Sequence, residues 1–307
     1  MKKVLVVQYS QTGQLTDIVT SILGPLAADK GVQIHTLTLK PQPAYPFPWS
    51  TQTFCDVFPE SVEGVPCNLE PFENDPEAEF DLIVLAYTIW YLSPSLPVQA
   101  FLQSPEARRL LKGTPVVTVI GCRNMWLLAQ ERVKGRIREL GAQLVGNIVL
   151  GDRASNLVGV ATIAYWMLTG RKDRLLGFFP RPGVDDGDIR QAFRFGIIIR
   201  KALQEDITAL DQEVLNAVGA VRVEPAYIIF EKRIMKIFRI WARFIRKKGG
   251  PGAPARQRRV RGFFYYLLTA IVVLAPLSAL AGQLTIRLKK NKIDKAVAYY
   301  AGNRLES

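Results

Sequence analysis

Five short apolar runs, Val4–Gln8, Val32–Leu39, Leu82–Ala86, Val116–Gly121 and Leu144–Leu150, recur along the first half of the chain, and the stretches between them carry apolar residues at helical spacing. A chain that alternates in this way has few options. Strands buried on both faces read as continuous Val/Ile/Leu runs, and parallel neighbours need crossovers long enough to hold a helix. The spacing predicts helices over Leu15–Asp29, Ser95–Leu102, Pro105–Leu111, Met125–Leu140 and Ile189–Glu205, with Gly31 and Gly141 placed as C-terminal stops. The expected fold is therefore α/β, a doubly wound parallel five-stranded sheet that binds its ligand at the carboxyl ends of the strands.

Two stretches interrupt the alternation. Residues 41–79 are rich in Pro, Asp and Glu; residues 152–188 mix Gly, Pro and Arg with Tyr165, Trp166, Phe178 and Phe179. Insertions at strand ends serve as lids or substrate walls about as often as they are excursions without a role.

The net charge of +13 on 307 residues matters by its placement. From Val221 onward stand 19 Lys and Arg against four acids, so the preceding 220 residues, taken as the α/β domain, are slightly acidic. That distribution argues against a nucleic-acid partner, which would need the basic surface on the folded domain. Cys55, Cys67 and Cys122 stand far apart, and His35 is the single histidine, so neither a metal cluster nor a histidine-based triad is expected. The opening run Val4–Val7 is too short for a signal-peptide core, and export is not expected.

The tail divides into three. Residues 221–262 form a basic amphipathic segment: Ile234, Ile237, Phe238, Trp241, Phe244 and Ile245 recur at helical spacing among Lys232, Arg233, Lys236, Arg239, Arg243 and Arg246. That pattern fits a helix lying in a lipid interface, or one packed on the domain with a solvated basic face. Phe263–Ile286 contains 24 residues without a charge. As a helix they would reach roughly 36 Å at about 1.5 Å per residue, enough to cross a hydrocarbon core of about 30 Å. A transmembrane helix is expected there, with Pro276 leaving open a kinked span or a re-entrant hairpin. A basic tail, residues 287–307, follows. The expected location is the cytoplasmic face of the inner membrane, single-pass or monotopic.

Three segments carry the expected chemistry. After the first strand comes Ser10-Gln11-Thr12-Gly13-Gln14-Leu15, a hydroxyl-rich turn opening a helix, which offers backbone N–H groups and hydroxyls to one phosphate. After the third run comes Thr88-Ile89-Trp90-Tyr91-Leu92, where an aromatic ring can stack on a planar cofactor while backbone amides address its edge. After the fourth comes Cys122-Arg123-Asn124, which offers a guanidinium and an amide for developing negative charge.

The first loop resembles the phosphate loop of flavodoxins and related quinone reductases, Ser/Thr-x-Thr-Gly-x-Thr, with Leu15 in the last hydroxyl position and Thr16 one place later. The second is similar to the loop that holds the isoalloxazine ring in those proteins. Along nearly its full length, through Ala44–Trp49, Ser93–Pro97, Cys122–Trp126 and Trp166–Gly170, the chain resembles the bacterial flavodoxin-like protein of dialkylresorcinol biosynthesis, a family often labelled dialkylresorcinol condensing enzyme. The resemblance implies a flavodoxin-like fold, FMN as cofactor, and a membrane-anchored oxidoreductase that aromatises a lipid-like dialkyl cyclohexanedione by hydride transfer to flavin. It further implies a ketosynthase and an acyl carrier protein as partners, and NAD(P)H, a quinone or oxygen as electron partner. Condensation itself is not expected, because a Cys-His-His set is missing. Arg123 is expected to stabilise the enolate and Tyr91 to relay the proton. Two other readings share these loops: an NAD(P)H:quinone reductase, and a non-catalytic flavodoxin-fold scaffold. A homodimer is expected by analogy with flavodoxin-like reductases.

Overall fold

The computed structural model describes residues 1–72, 79–274 and 286–304. Five parallel strands, β1 Lys2–Gln8, β2 Val32–Thr38, β3 Leu82–Trp90, β4 Pro115–Cys122 and β5 Gln143–Gly151, lie in the order β2-β1-β3-β4-β5. This is the flavodoxin-like order, with its reversal between β1 and β3. All five expected strands are present; four are extended by one or more residues, and β2 ends one residue earlier, at Thr38.

Alternate residues of each strand serve opposite faces. Val4, Val6, Val84 and Val119 face one layer, made by α1 Gln14–Ala27 and the helices α8 and α9 described below. Leu5, Val7, Leu85 and Ile120 face the other, made by α4 Leu96–Phe101, α5 Pro105–Leu111 and α6 Leu127–Glu139. In α5, Ser104 caps the first turn by accepting from Ala107 N–H at 3.1 Å, and Pro105 supplies a φ already suited to helix.

Both insertions carry regular elements among the described residues. The first pairs Pro41–Gln42 with Asn68–Leu69 and carries α2 Thr51–Asp56 and α3 Phe58–Glu63. The second carries α7 Asn156–Thr169. The helix expected over Ile189–Glu205 starts earlier, at Asp186, and is interrupted at Ala192, giving α8 Asp186–Gln191 and α9 Phe193–Gln204. α9 presses so closely on α1 that a Cβ at Gly196 would stand 1.8 Å from Ile22 O. A short α10, Gln212–Ala217, covers β5.

The tail departs most from expectation. Helix α11, Pro225–Arg246, turns Met235, Phe238, Ala242 and Ile245 into a core shared with Phe58 and Val62 of α3. Phe238 and Ile245, expected in lipid, are covered by protein. Helix α12, Gln257–Thr269, is docked by Phe263, whose ring stacks on Phe58 at 3.7 Å. The transmembrane helix expected over Phe263–Ile286 is not found. No helix among the described residues is long and apolar enough to cross a membrane, and 275–285 lie outside them. Within the basic tail 287–307, α13, Lys290–Ala301, returns to the domain, where Tyr299 donates to Glu131 and Lys134 Nζ donates to Gly302 O at 3.0 Å.

Candidate functional site

The carboxyl ends of the strands lie along one edge, with β3 and β4 running past the end of β1. Gln8 pairs with Ala86, Thr88 with Gly121 and Cys122 with Gly151. With neighbouring strands about 4.8 Å apart, the segments following β1 and β4 and the end of β3 are brought side by side. The three segments marked in the sequence thus share one edge, at the reversal of strand order.

At the first, Gly13 takes φ of 84°, a left-handed conformation that costs glycine nothing, and α1 begins immediately. Asp17 N–H to Gly13 O, 3.1 Å, is the first i→i−4 bond of that helix, so the N–H groups of Gln14, Leu15 and Thr16 have no acceptor within it. Thr12 Oγ1 stands 3.5 Å from Gln14 N. Among the described residues, Ser10 Oγ is buried without a hydrogen-bond partner, as are Gln8 Oε1 at the end of β1 and Thr88 Oγ1 near the end of β3. A buried unpaired polar group costs about 1–3 kcal/mol, so three at one edge are consistent with a site completed by a polar ligand. Two of these atoms belong to hydroxyls able to donate, and the third is an acceptor.

The glutamines do different work. Gln11 accepts from Tyr9 and donates to Pro46 O at 2.8 Å; Gln14 clasps Val184, accepting from its N–H at 2.9 Å and donating to its carbonyl at 3.1 Å. Their side chains fasten the two insertions to the loop, and only their backbone remains for an anion. Leu15 is 1% exposed and packs beside Gly121, which accounts for an apolar residue where the phosphate-loop pattern has a hydroxyl.

The second segment closes through pairing of Trp90 with Ser93, which leaves Tyr91 and Leu92 at φ of 50° and 61°. Such a two-residue turn prefers Asn-Gly; two bulky residues there hold strain that the surrounding packing must offset. The packing is visible. The Tyr91 ring lies among Phe54, Phe58, Phe238 and Phe263, and its hydroxyl donates to Phe54 O at 2.6 Å. Burial pushes that hydroxyl well above the usual tyrosine range. The proton-relay role expected of Tyr91 therefore finds no support in the geometry. Trp90 is met edge-on by Tyr9, Tyr45 and Trp49, so packing claims the ring expected to stack on a cofactor. Ile89 packs against the core on the α4–α6 side.

At the third segment, Cys122 is a neutral thiol, pushed up to about 12 by burial and then by Glu231. Asn124 Nδ2 donates to Tyr227 Oη at 2.9 Å, tying the loop to α11. Burial lowers the Arg123 guanidinium from the ordinary arginine value. Beside it, where β5 ends, stands an acid that the sequence motifs do not mark. Asp152 N–H donates to Arg123 O at 2.9 Å, and burial raises its carboxyl although Ala154 N–H donates to it at 2.7 Å. Its only signal in the sequence is its place one residue past a strand end.

The insertions meet over this edge: Trp49 N–H donates to Met167 O at 2.8 Å, and Gly170 lies against Pro48. Tyr45, Trp49 and Trp166 thus wall the site, foreshadowed in the sequence only by the aromatic density of the two insertions.

Neither a protein-family model nor a curated protein matches the sequence. Among solved structures, the chain is similar to an archaeal flavodoxin, at 14% identity and a TM-score of 0.37 over 67% of this chain and 100% of that one. It is also similar to a putative flavoprotein from Bacteroides eggerthii, at 16% identity and a TM-score of 0.38 over 56% of this chain and 100% of that one. A third is a flavoprotein in complex with FMN from Lactobacillus acidophilus, at 14% identity and a TM-score of 0.37 over 48% of this chain and 93% of that one. At these scores the assignment of fold rests on the strand order described above and not on the alignments.

Proposed function

We propose that this chain is an FMN-dependent oxidoreductase whose cofactor sits at the carboxyl edge of the sheet. The observation that carries the reading is the buried, unpartnered Ser10 Oγ beside the N-terminus of α1, with the unpartnered Thr88 Oγ1 on the neighbouring strand. Ser10, Thr12 and the N–H groups of Gln14, Leu15 and Thr16 would hold the phosphate without a cation. Thr88 and the backbone of Trp90–Leu92 would border the ring. When bound, FMN supplies an acceptor for hydride.

The substrate proposed on the strength of the sequence resemblance is a dialkyl cyclohexanedione, oxidised to a dialkylresorcinol. A 1,3-dione has an acidic ring proton. Asp152, a carboxyl raised by burial, would take that proton, and Arg123 would hold the resulting enolate charge. A ketosynthase with its acyl carrier protein would supply the dione; oxygen, a quinone or the oxidised nicotinamide NAD(P)+ would then take the two electrons from the reduced flavin. Attachment to the cytoplasmic face of a membrane belongs to the same proposal. The packed state of Trp90 favours a second reading, a flavodoxin-fold scaffold without flavin.

The test is to purify the protein in mild detergent, record its visible spectrum and identify the chromophore released by heat. FMN near unit occupancy supports the enzyme and leads to assays of dione oxidation, with Asp152→Asn and Arg123→Met expected to slow turnover. A colourless protein that cannot be reconstituted supports the scaffold.

A further inference from the structure

Helices α2 and α12 lie side by side and leave a groove between them with a cavity of about 240 Å³. From α12 the lining residues Gln257, Val260, Arg261 and Phe264 recur within two turns, so one face of that helix meets the groove. The floor is apolar. Cys55 of α2 and Val260 are 1% and 2% exposed, and both belong to the core that α11 and α12 share with α3. The Phe264 ring packs against the same core.

The arginines around the groove are engaged to different degrees. Arg256 donates to Asp56 and Glu60, at 2.8 Å each, so both acids are compensated. Arg259 covers the Phe244 ring of α11, its guanidinium 3.9 Å from the ring centre, and donates to Phe244 O. Arg261 lines the groove, is exposed, and makes no hydrogen bond or ion pair among the described residues. The amides beside it are already paired: Gln52 Nε2 donates to Gln257 Oε1 and Gln257 Nε2 to Asp56 Oδ1, both at 3.1 Å.

Size and charge restrict the occupant. Sites for whole small molecules measure about 300–1,000 Å³, so this smaller cavity suits a slender apolar group. A helix of a partner protein, about 10–12 Å across with its side chains, is too wide for it. The paired chains of a phospholipid are too bulky, and a single alkyl chain is not. One uncompensated cation at the mouth calls for an anionic end, and a planar guanidinium matches a carboxylate through two parallel hydrogen bonds.

We propose that the groove between α2 and α12 binds one alkyl monocarboxylate, with its chain over Cys55, Val260 and Phe264 and its carboxylate on Arg261. None of the lining residues belongs to the three loops at the sheet edge, so this site is independent of flavin binding.

The test titrates the full chain with decanoate, below its micellar concentration, by calorimetry, with the protein held in digitonin, which has no alkyl chain to compete. One decanoate per chain is expected. Arg261→Gln should weaken binding by about tenfold to a hundredfold, as loss of hydrogen bonds to a charged group does, and should leave binding of 1-decanol unchanged. Val260→Phe, which fills the floor, should abolish binding of both. Because a substitution in the core puts the fold at risk, Thr51→Trp, at the exposed rim of the groove, blocks the mouth without touching the core and should have the same effect. Absence of binding, or uptake of decanoate that Arg261→Gln and Thr51→Trp leave unchanged, overturns the proposal. Decyl phosphate bound through Arg261 more than tenfold tighter than decanoate would overturn the carboxylate head. Decanoate binding by a colourless preparation supports the groove and counts against the flavin reading alone.

Discussion

Glu231 shows how one side chain couples the tail to the sheet domain. It leaves α11 to accept from the N–H groups of Leu127 and Leu128, at 3.1 and 2.7 Å, and so caps α6 from another element. The helix terminus favours the carboxylate, but burial opposes it more strongly and pushes the group up to about 7 from an ordinary 4.5. Because the folded value lies above the unfolded one, the stability linked to this proton is complete below pH 4.5 and is lost as pH rises through about 7. The shift corresponds to roughly 3 kcal/mol. The melting temperature of the wild-type protein should therefore fall across this window, and Glu231→Gln, which cannot ionise, should flatten the fall; two parallel curves would exonerate Glu231. Ser10 makes a contrasting case, since its hydroxyl lacks a partner among the described residues. Ser10→Ala should leave thermal stability unchanged or slightly higher. It should weaken FMN binding by about tenfold to a hundredfold, as loss of a hydrogen bond to a charged group does, measured by fluorescence titration of the apoprotein.

Among the elements, α12 is strapped to α2 and α3 by Arg256, which is 0% exposed and donates to Asp56 Oδ1 and Glu60 Oε1, both at 2.8 Å. Removing one partner of a buried ion pair leaves uncompensated charge. Arg256→Ala should cost about 3–5 kcal/mol in urea unfolding. A loss below 1 kcal/mol would mean that water reaches Asp56 and Glu60. The elements also show the limits of periodicity. Four of the sheet strands were legible as continuous apolar runs, and the partly buried edge strand β2 by its alternation of Val32 and Ile34 with Gln33 and His35; α1, α5 and α9 were legible because one apolar stripe meets the sheet. The helices α2, α3 and α7 were not, since Pro, Asp and Glu in 41–79 and Gly and Arg in 152–188 carry local signals of loops, which contacts with Trp49, α11 and each other override.

For the whole molecule, the tail is part of the fold: a third core joins Phe58, Val62 and Leu92 to Met235, Phe238 and Phe263. A chain ended after Ala220 would uncover that apolar surface and should aggregate or self-associate, as light scattering would show; a monodisperse, folded 1–220 fragment would make the tail an appendage after all. The three loops of the candidate site were legible because each directly follows a strand run, and a doubly wound sheet delivers all such segments to one edge. What the loops do there was less legible. Gln11 and Gln14 turn their side chains to the insertions, Trp90 and Tyr91 are taken up by packing, and Asp152 arrives at the edge from a segment without a motif.

Local spacing in the sequence was enough to determine the parallel sheet, its flanking helices and the position of the phosphate-type turn, because each depends on residues near one another in the chain. Only the tertiary structure decided which apolar side chains of α11 meet protein and which remain exposed. An amphipathic pattern records that a face avoids water and is silent about what covers it, and Phe58, Glu60 and Leu127, which decide the matter, stand about a hundred residues or more away.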